Sequence, residues 1–97
     1  MIDISPLKIG NKTALGLKVE LPDSPPLVII IGRTGFIGCG FINIDAAEKL
    51  NVAAATVTGV KSFDDALNAE IKAVTSKAQT KGVKIGMRGE EAIKLFS

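Results

Sequence analysis

Apolar and polar positions alternate between residues 13 and 21, with Leu15, Leu17, Val19 and Leu21 on one side and Ala14, Gly16, Lys18 and Glu20 on the other. Successive side chains of a strand point to opposite faces, so this period of two predicts a half-buried β-strand. Ile2 to Ile9 repeats the pattern more weakly. The run Pro22-Asp23-Ser24-Pro25-Pro26 interrupts it, because proline fixes φ and has no N–H to give a ladder. Beyond that loop the alternation disappears. Every residue from Leu27 to Ile31 is apolar, and Phe36 to Ile42 holds only apolar residues, glycine and cysteine, with Gly32-Arg33-Thr34-Gly35 between the two runs. This arrangement predicts a β-hairpin. Arg33 is the only charge between Asp23 and Asp45; neither strand has a wet side, as expected for strands covered on both faces.

The spacing becomes helical further on. Asp45 and Glu48 are placed like a capping box, and Asn51 can take the left-handed conformation that ends a short helix. Val52 to Thr58 returns as a strand of small residues suited to close helix packing. Ser62 is the expected N-cap of the longest helix, with Asp64 and Asp65 in the first turn, where the helix dipole favours acids. Phe63, Ala66, Leu67, Ile71, Val74 and Ala78 form its apolar stripe, and Lys81-Gly82 its stop. Val83 to Met87 reads as a short strand or extended linker, and Gly89-Glu90-Glu91 opens a last helix carrying Ala92, Ile93, Leu95 and Phe96. The fold class is therefore α+β in one domain spanning 1–97. Residues 1–42 form an antiparallel β region with a hairpin, and residues 43–97 an αβαβα-like half whose helices pack on the sheet.

Composition turns this fold into an expectation about partners. The chain has 97 residues, 46% of them apolar, and a mean hydropathy of +0.33. So short a chain has a high surface-to-volume ratio and should need more polar covering. Its apolar excess is concentrated in residues 27–42, which points to subunits that cover one another, a homo-oligomer. A net charge of +2, from 12 basic and 10 acidic residues, is too balanced for the concentrated basic face of a nucleic-acid binder. The start, Met1-Ile2-Asp3-Ile4-Ser5-Pro6, lacks the features of a signal peptide, and no apolar run approaches the roughly 18 residues of a membrane span. A cytoplasmic protein with no membrane partner is expected.

With no histidine and one cysteine, Ser-His-Asp and Cys-His chemistry, the usual zinc sites and an intramolecular disulfide are all excluded. No catalytic residue, metal or cofactor is assigned. Gly32, Gly35, Gly38 and Gly40 join strand to strand, whereas phosphate-binding glycine loops join strand to helix. Cys39, inside an apolar strand, reads first as a small buried hydrophobe. Asp64-Asp65 and Glu90-Glu91 are first-turn acids whose neighbours diverge by about 100° on a helix, so neither pair converges. The candidate site is Thr58-Gly59-Val60-Lys61-Ser62, where a strand meets a capped helix. Helix amides, the Lys61 ammonium and the hydroxyls of Thr58 and Ser62 could meet there on a carboxylate or phosphate, with Arg33 or Cys39 completing the site across a subunit boundary. An ordinary strand-to-helix loop explains the same residues, with Gly59 for the bend, Ser62 as cap and Lys61 in water.

At Cys39-Gly40-Phe41-Ile42-Asn43, Ala46-Ala47-Glu48-Lys49-Leu50, Val52-Ala53-Ala54-Ala55 and Val57-Thr58-Gly59-Val60-Lys61 the chain resembles the YunC-like family, also known as domain of unknown function 1805. Gly82-Val83-Lys84-Ile85-Gly86-Met87 and Glu91-Ala92 extend the likeness. The resemblance implies an N-terminal β region used for tetramerisation. It implies no reaction, substrate or cofactor. One departure is Gly38, where the family pattern has methionine. The expected protein is thus a homo-oligomer of unknown biochemical function, with a scaffold or interaction role placed ahead of catalysis. The alternative is a small anionic-ligand binder or histidine-free enzyme with its site at the Thr58–Ser62 loop.

Overall fold

Strands β1 (Ile2–Ile9), β2 (Lys12–Val19), β3 (Leu27–Ile31), β4 (Phe36–Gly38), β5 (Ala54–Thr56) and β6 (Ala73–Val74) lie side by side in sequence order in one sheet. The structure, a computed structural model, describes residues 1–97. Neighbouring strands run antiparallel throughout except β4 and β5, which are parallel. Four short helices complete the α+β fold: α1 (Ile44–Lys49), α2 (Phe63–Asn68), α3 (Ser76–Thr80) and α4 (Gly89–Leu95). None is long and apolar enough to cross a membrane.

The hairpin expected over residues 27–42 is β3–β4, closed by a bond from the Gly32 N–H to the Gly35 carbonyl at 2.8 Å. Helix α1 carries the chain from β4 to β5, and the trio Ala53-Ala54-Ala55 is fully buried. On one sheet face Val28, Ile30, Ile37 and Ala55 meet α2 and α4, which contribute Ala66, Ala92 and Ile93, with Phe96 just beyond α4. Two glycines allow this approach. A Cβ at Gly16 would lie 2.8 Å from the Phe63 ring, and one at Gly89 would strike the Ala66 carbonyl oxygen, so α4 crosses α2 at backbone distance. Phe96 seals the far end: its carbonyl accepts from the Thr34 N–H at 2.7 Å and the Thr34 hydroxyl at 2.8 Å.

The other face is covered only over β4 and β5, by α1 through Ala47 and by Ile42, which folds back over Gly38 where any larger residue would collide with it. Across β1, β2 and β3 that face is open. The register aligns Ile2, Val19 and Leu27 in one row, Ile4, Leu17 and Ile29 in the next, and Pro6, Leu15, Ile31 and Phe36 in a third. Ile2 and Ile4 are 63% and 62% exposed, Leu15 and Ile31 42% and 40%. Two expectations are corrected here. The alternation in β2 is present but inverted, because Ala14 and Gly16 are buried under the helices while Leu15 faces outward. Likewise β3, free of polar residues on both sides, is covered by its own helices on only one.

The long helix from Ser62 to Lys81 is also corrected. It stops after Asn68, and residues 71–75 run extended along the free edge of β5, where the Lys72 and Thr75 N–H groups donate to Thr56 and Ala54. Thr75 is the cause. Its buried hydroxyl donates to the Val52 carbonyl at 2.7 Å and accepts from the Ala54 N–H and, as N-cap of α3, from the Ala78 N–H. Satisfying the β5 edge outweighs the helix propensity of residues 69–75, since buried unpaired backbone groups cost more than propensity differences. Asn43, not Asp45, caps α1, and Glu48 accepts from Ser76 rather than closing a capping box. Asn51 does take a left-handed φ of 58°. Of the two alternatives for Val83 to Met87, a short strand or a linker, the linker is found: Val83 and Lys84 carry no regular structure and Ile85 to Met87 turn.

Candidate functional site

Parallel strands β4 and β5 leave their carboxyl ends in opposite directions. After β4 the chain crosses to α1 on one face of the sheet; after β5 it enters α2 on the other. Divergence of this kind opens a crevice outside the strand ends, the place where ligands bind in parallel sheets. Here the crevice is a cleft of about 270 Å³. Cys39, Gly40 and Phe41 line it from the β4 side, Gly59, Val60 and Lys61 from the β5 side, and Pro25 and Pro26 from the loop before β3.

Each wall has a local cause. Pro25 and Pro26 hold the entry to β3 in an extended path. Cys39 is buried, and its Sγ accepts from the Val28 N–H at 3.4 Å, which ties the end of β4 to β3. Gly59 has a φ of +70°, which bends the chain away from β5 in a conformation that side chains resist. Phe41 is 52% exposed at the mouth, whereas Val60 is buried at the back.

Of the residues singled out from the sequence, Cys39, Gly59 and Lys61 meet in this cleft. Thr58 is exposed and outside its lining. Ser62 is engaged locally: its hydroxyl accepts from the Asp65 N–H at 3.1 Å, and the Asp65 carboxylate accepts from the Lys61 N–H at 3.0 Å. The start of α2 is therefore closed by its own side chains and offers no amide cradle. Arg33 sits at the opposite end of β4, in the β3–β4 turn, beside Asn11, Lys12, Thr13 and Ser97. Gly40, weighed in the sequence only as part of a glycine run between strands, lines the cleft as well; Pro25, Pro26 and Phe41 were not singled out, because none carries a reactive group and their only signal was position, beside strand ends.

The cleft's chemistry is narrow. Its single charge is the Lys61 ammonium, its single sulfur the Cys39 thiol, and no carboxylate lines it. No three His, Cys, Asp or Glu side chains converge anywhere to hold a metal ion. The arrangement suits binding of a mostly apolar body with one negative charge.

Comparison with known proteins places residues 38–96 in the domain of unknown function DUF1805. The chain is 27% identical over 97 residues to the uncharacterized protein YunC of Bacillus subtilis (strain 168), covering 96% of this chain and 95% of that protein. It superposes with a TM-score of 0.94 and 31% identity on the crystal structure of a protein of unknown function, TA1206, from Thermoplasma acidophilum, covering 100% of this chain and 94% of that one.

Proposed function

We propose, from the premise that this chain belongs to the DUF1805 family, that it works as a self-assembling protein in a scaffold or interaction role, its subunits packed through the open face of β1, β2 and β3. The inverted strand β2 carries this reading. A strand that buries Ala14 and Gly16 and exposes Leu15 leaves its larger apolar side in water, and contiguous apolar patches of that kind mark interaction surfaces.

A second copy of the chain is the occupant that fits. The face is apolar in three aligned rows, and Lys8 at one corner, paired with Thr13, is its only charge. A charged partner finds nothing complementary there. A two-fold contact sets such a patch against itself, and apolar sheet faces stack at about 10 Å with their side chains interdigitated. Growth by edge pairing is disfavoured, because Pro6 in the outer strand β1 has no N–H to offer and Asp3 and Lys8 flank it. One self-complementary face closes a dimer; a tetramer adds a second symmetric contact. A cytoplasmic location suits the free, buried Cys39.

A thiol placed on the face tests the reading. Leu15→Cys presents a reactive group where the native thiol is buried. Its labelling by a maleimide is expected to slow as protein concentration rises through the micromolar range, while Cys39 stays silent. Equal labelling rates at all concentrations would overturn the assignment of this face.

A further inference from the structure

The cleft at the carboxyl ends of β4 and β5 has two properties that the assembly does not use. First, the backbone N–H groups of Gly40, Phe41, Gly59 and Val60 donate to no acceptor within the chain. Val60 is buried, and buried amides ordinarily find partners. Second, the Lys61 ammonium lines the cleft without an ion pair: the chain's two salt bridges join the N-terminus to Glu20 and Lys72 to Glu70, and Asp65 is occupied by the Lys61 backbone N–H. Four residues with unpartnered amides, Gly40, Phe41, Gly59 and Val60, and one unpaired cation, Lys61, therefore line a cavity whose side chains at Pro25, Pro26, Phe41 and Val60 are apolar.

We infer that this cleft binds a small carboxylate with a flat aromatic or branched apolar body. Its carboxylate takes the Lys61 ammonium and the free loop amides, since hydrogen bonds to ionised groups are the stronger kind. Its body lies between the proline wall and the Phe41 ring. A polyphosphate does not match, because the single Lys61 ammonium cannot balance several charges and the side chains of Pro25, Pro26, Phe41 and Val60 are apolar. A cleft of about 270 Å³ limits the ligand to a single ring or short branched chain, at the small end of ligand pockets.

The test is an NMR titration of the intact protein with phenylacetate, phenylacetamide and inorganic phosphate as probes, read at the Gly40 and Gly59 amide resonances. Phenylacetate is expected to move both resonances saturably below roughly 10 mM, a range set by the weak binding of so small a ligand. Lys61→Ala should weaken that binding about tenfold, the loss expected for one charge-assisted bond, and Lys61→Arg should restore most of it. Phe41→Ala should weaken it independently. Both side chains are exposed, so the variants fold. Three outcomes each overturn the inference: no saturable shift with phenylacetate, equal binding of phenylacetamide, or tighter binding of phosphate at the same amides.

Discussion

Leu15→Glu is expected to turn the proposed assembly into monomers that keep the native fold. Leu15 lies in the middle strand of the open face, between Pro6 of β1 and Ile31 of β3, and is 42% exposed in the single chain. In the isolated subunit a glutamate there reaches water at little cost. Packed face to face against a second copy, it is a carboxylate in an apolar layer with no cation opposite, and a two-fold contact contains it twice. Leaving a buried charge uncompensated costs about 3–5 kcal/mol, which for one carboxylate corresponds to a rise in Kd of roughly three orders of magnitude, so the two of a two-fold contact raise it by at least that. Light scattering should report a single-chain mass for the variant at concentrations where the parent is associated. Its circular dichroism should stay unchanged, and its Tm should no longer vary with concentration, because assembly no longer feeds stability. Ile85→Glu is the control: Ile85 is 65% exposed in the turn whose Gly86 N–H donates to the Ile71 carbonyl, beside β6 at the sheet edge opposite β1, and its replacement should leave the mass unchanged. An unaltered mass for Leu15→Glu would place the subunit contact elsewhere.

Gly89→Ala destabilises the protein by about 3 kcal/mol, against the ordinary helix rule. In an unobstructed helix, alanine in place of glycine stabilises by up to about 1 kcal/mol. Gly89 opens α4 where that helix crosses α2, its N–H donates to the Ala69 carbonyl at 2.9 Å, and a Cβ would run into the Ala66 carbonyl oxygen. The obstacle is backbone, so no rotamer relieves it; α4 must move off α2, disturbing Ala92, Ile93 and Phe96 in the core. Overpacking of this kind costs about 1–3 kcal/mol and occasionally more. Gly40→Ala supplies the contrast, since nothing lies within 4 Å of a Cβ there, and its urea midpoint should match the parent's. A Gly89→Ala midpoint equal to or above the parent's would contradict the close crossing of α2 and α4.

These two residues also show how far the sequence could be read. Alternation located β2, and the glycine-bounded turn located the β3–β4 hairpin, because both signals are local. Which side of β2 meets the helices is not local. The Phe63 ring needs the space above Gly16, so the smaller side went inward, and that choice left Leu15 exposed and Leu17 half-buried on the other side. The break in the expected long helix was hidden for a similar reason: the 3.6-residue stripe from Phe63 to Ala78 is real, but the open edge of β5 and the hydroxyl of Thr75 compete for the same residues. At the candidate site, the chain's spacing singled out the strand-to-helix loop at Gly59 and Lys61. It could not bring Pro25, Pro26 and Phe41 to the same cleft, since those meet only when β3, β4 and β5 lie side by side. Ser62, which the sequence offered both as helix N-cap and as a ligand hydroxyl, is the N-cap of α2, its hydroxyl accepting from the Asp65 N–H.

Sedimentation equilibrium of the unmodified protein at low micromolar concentration tests the self-association of this chain most directly. The expected result is the mass of two or four chains, dissociating only on dilution. A single species at 10.1 kDa throughout that range would contradict the proposed role of the open face.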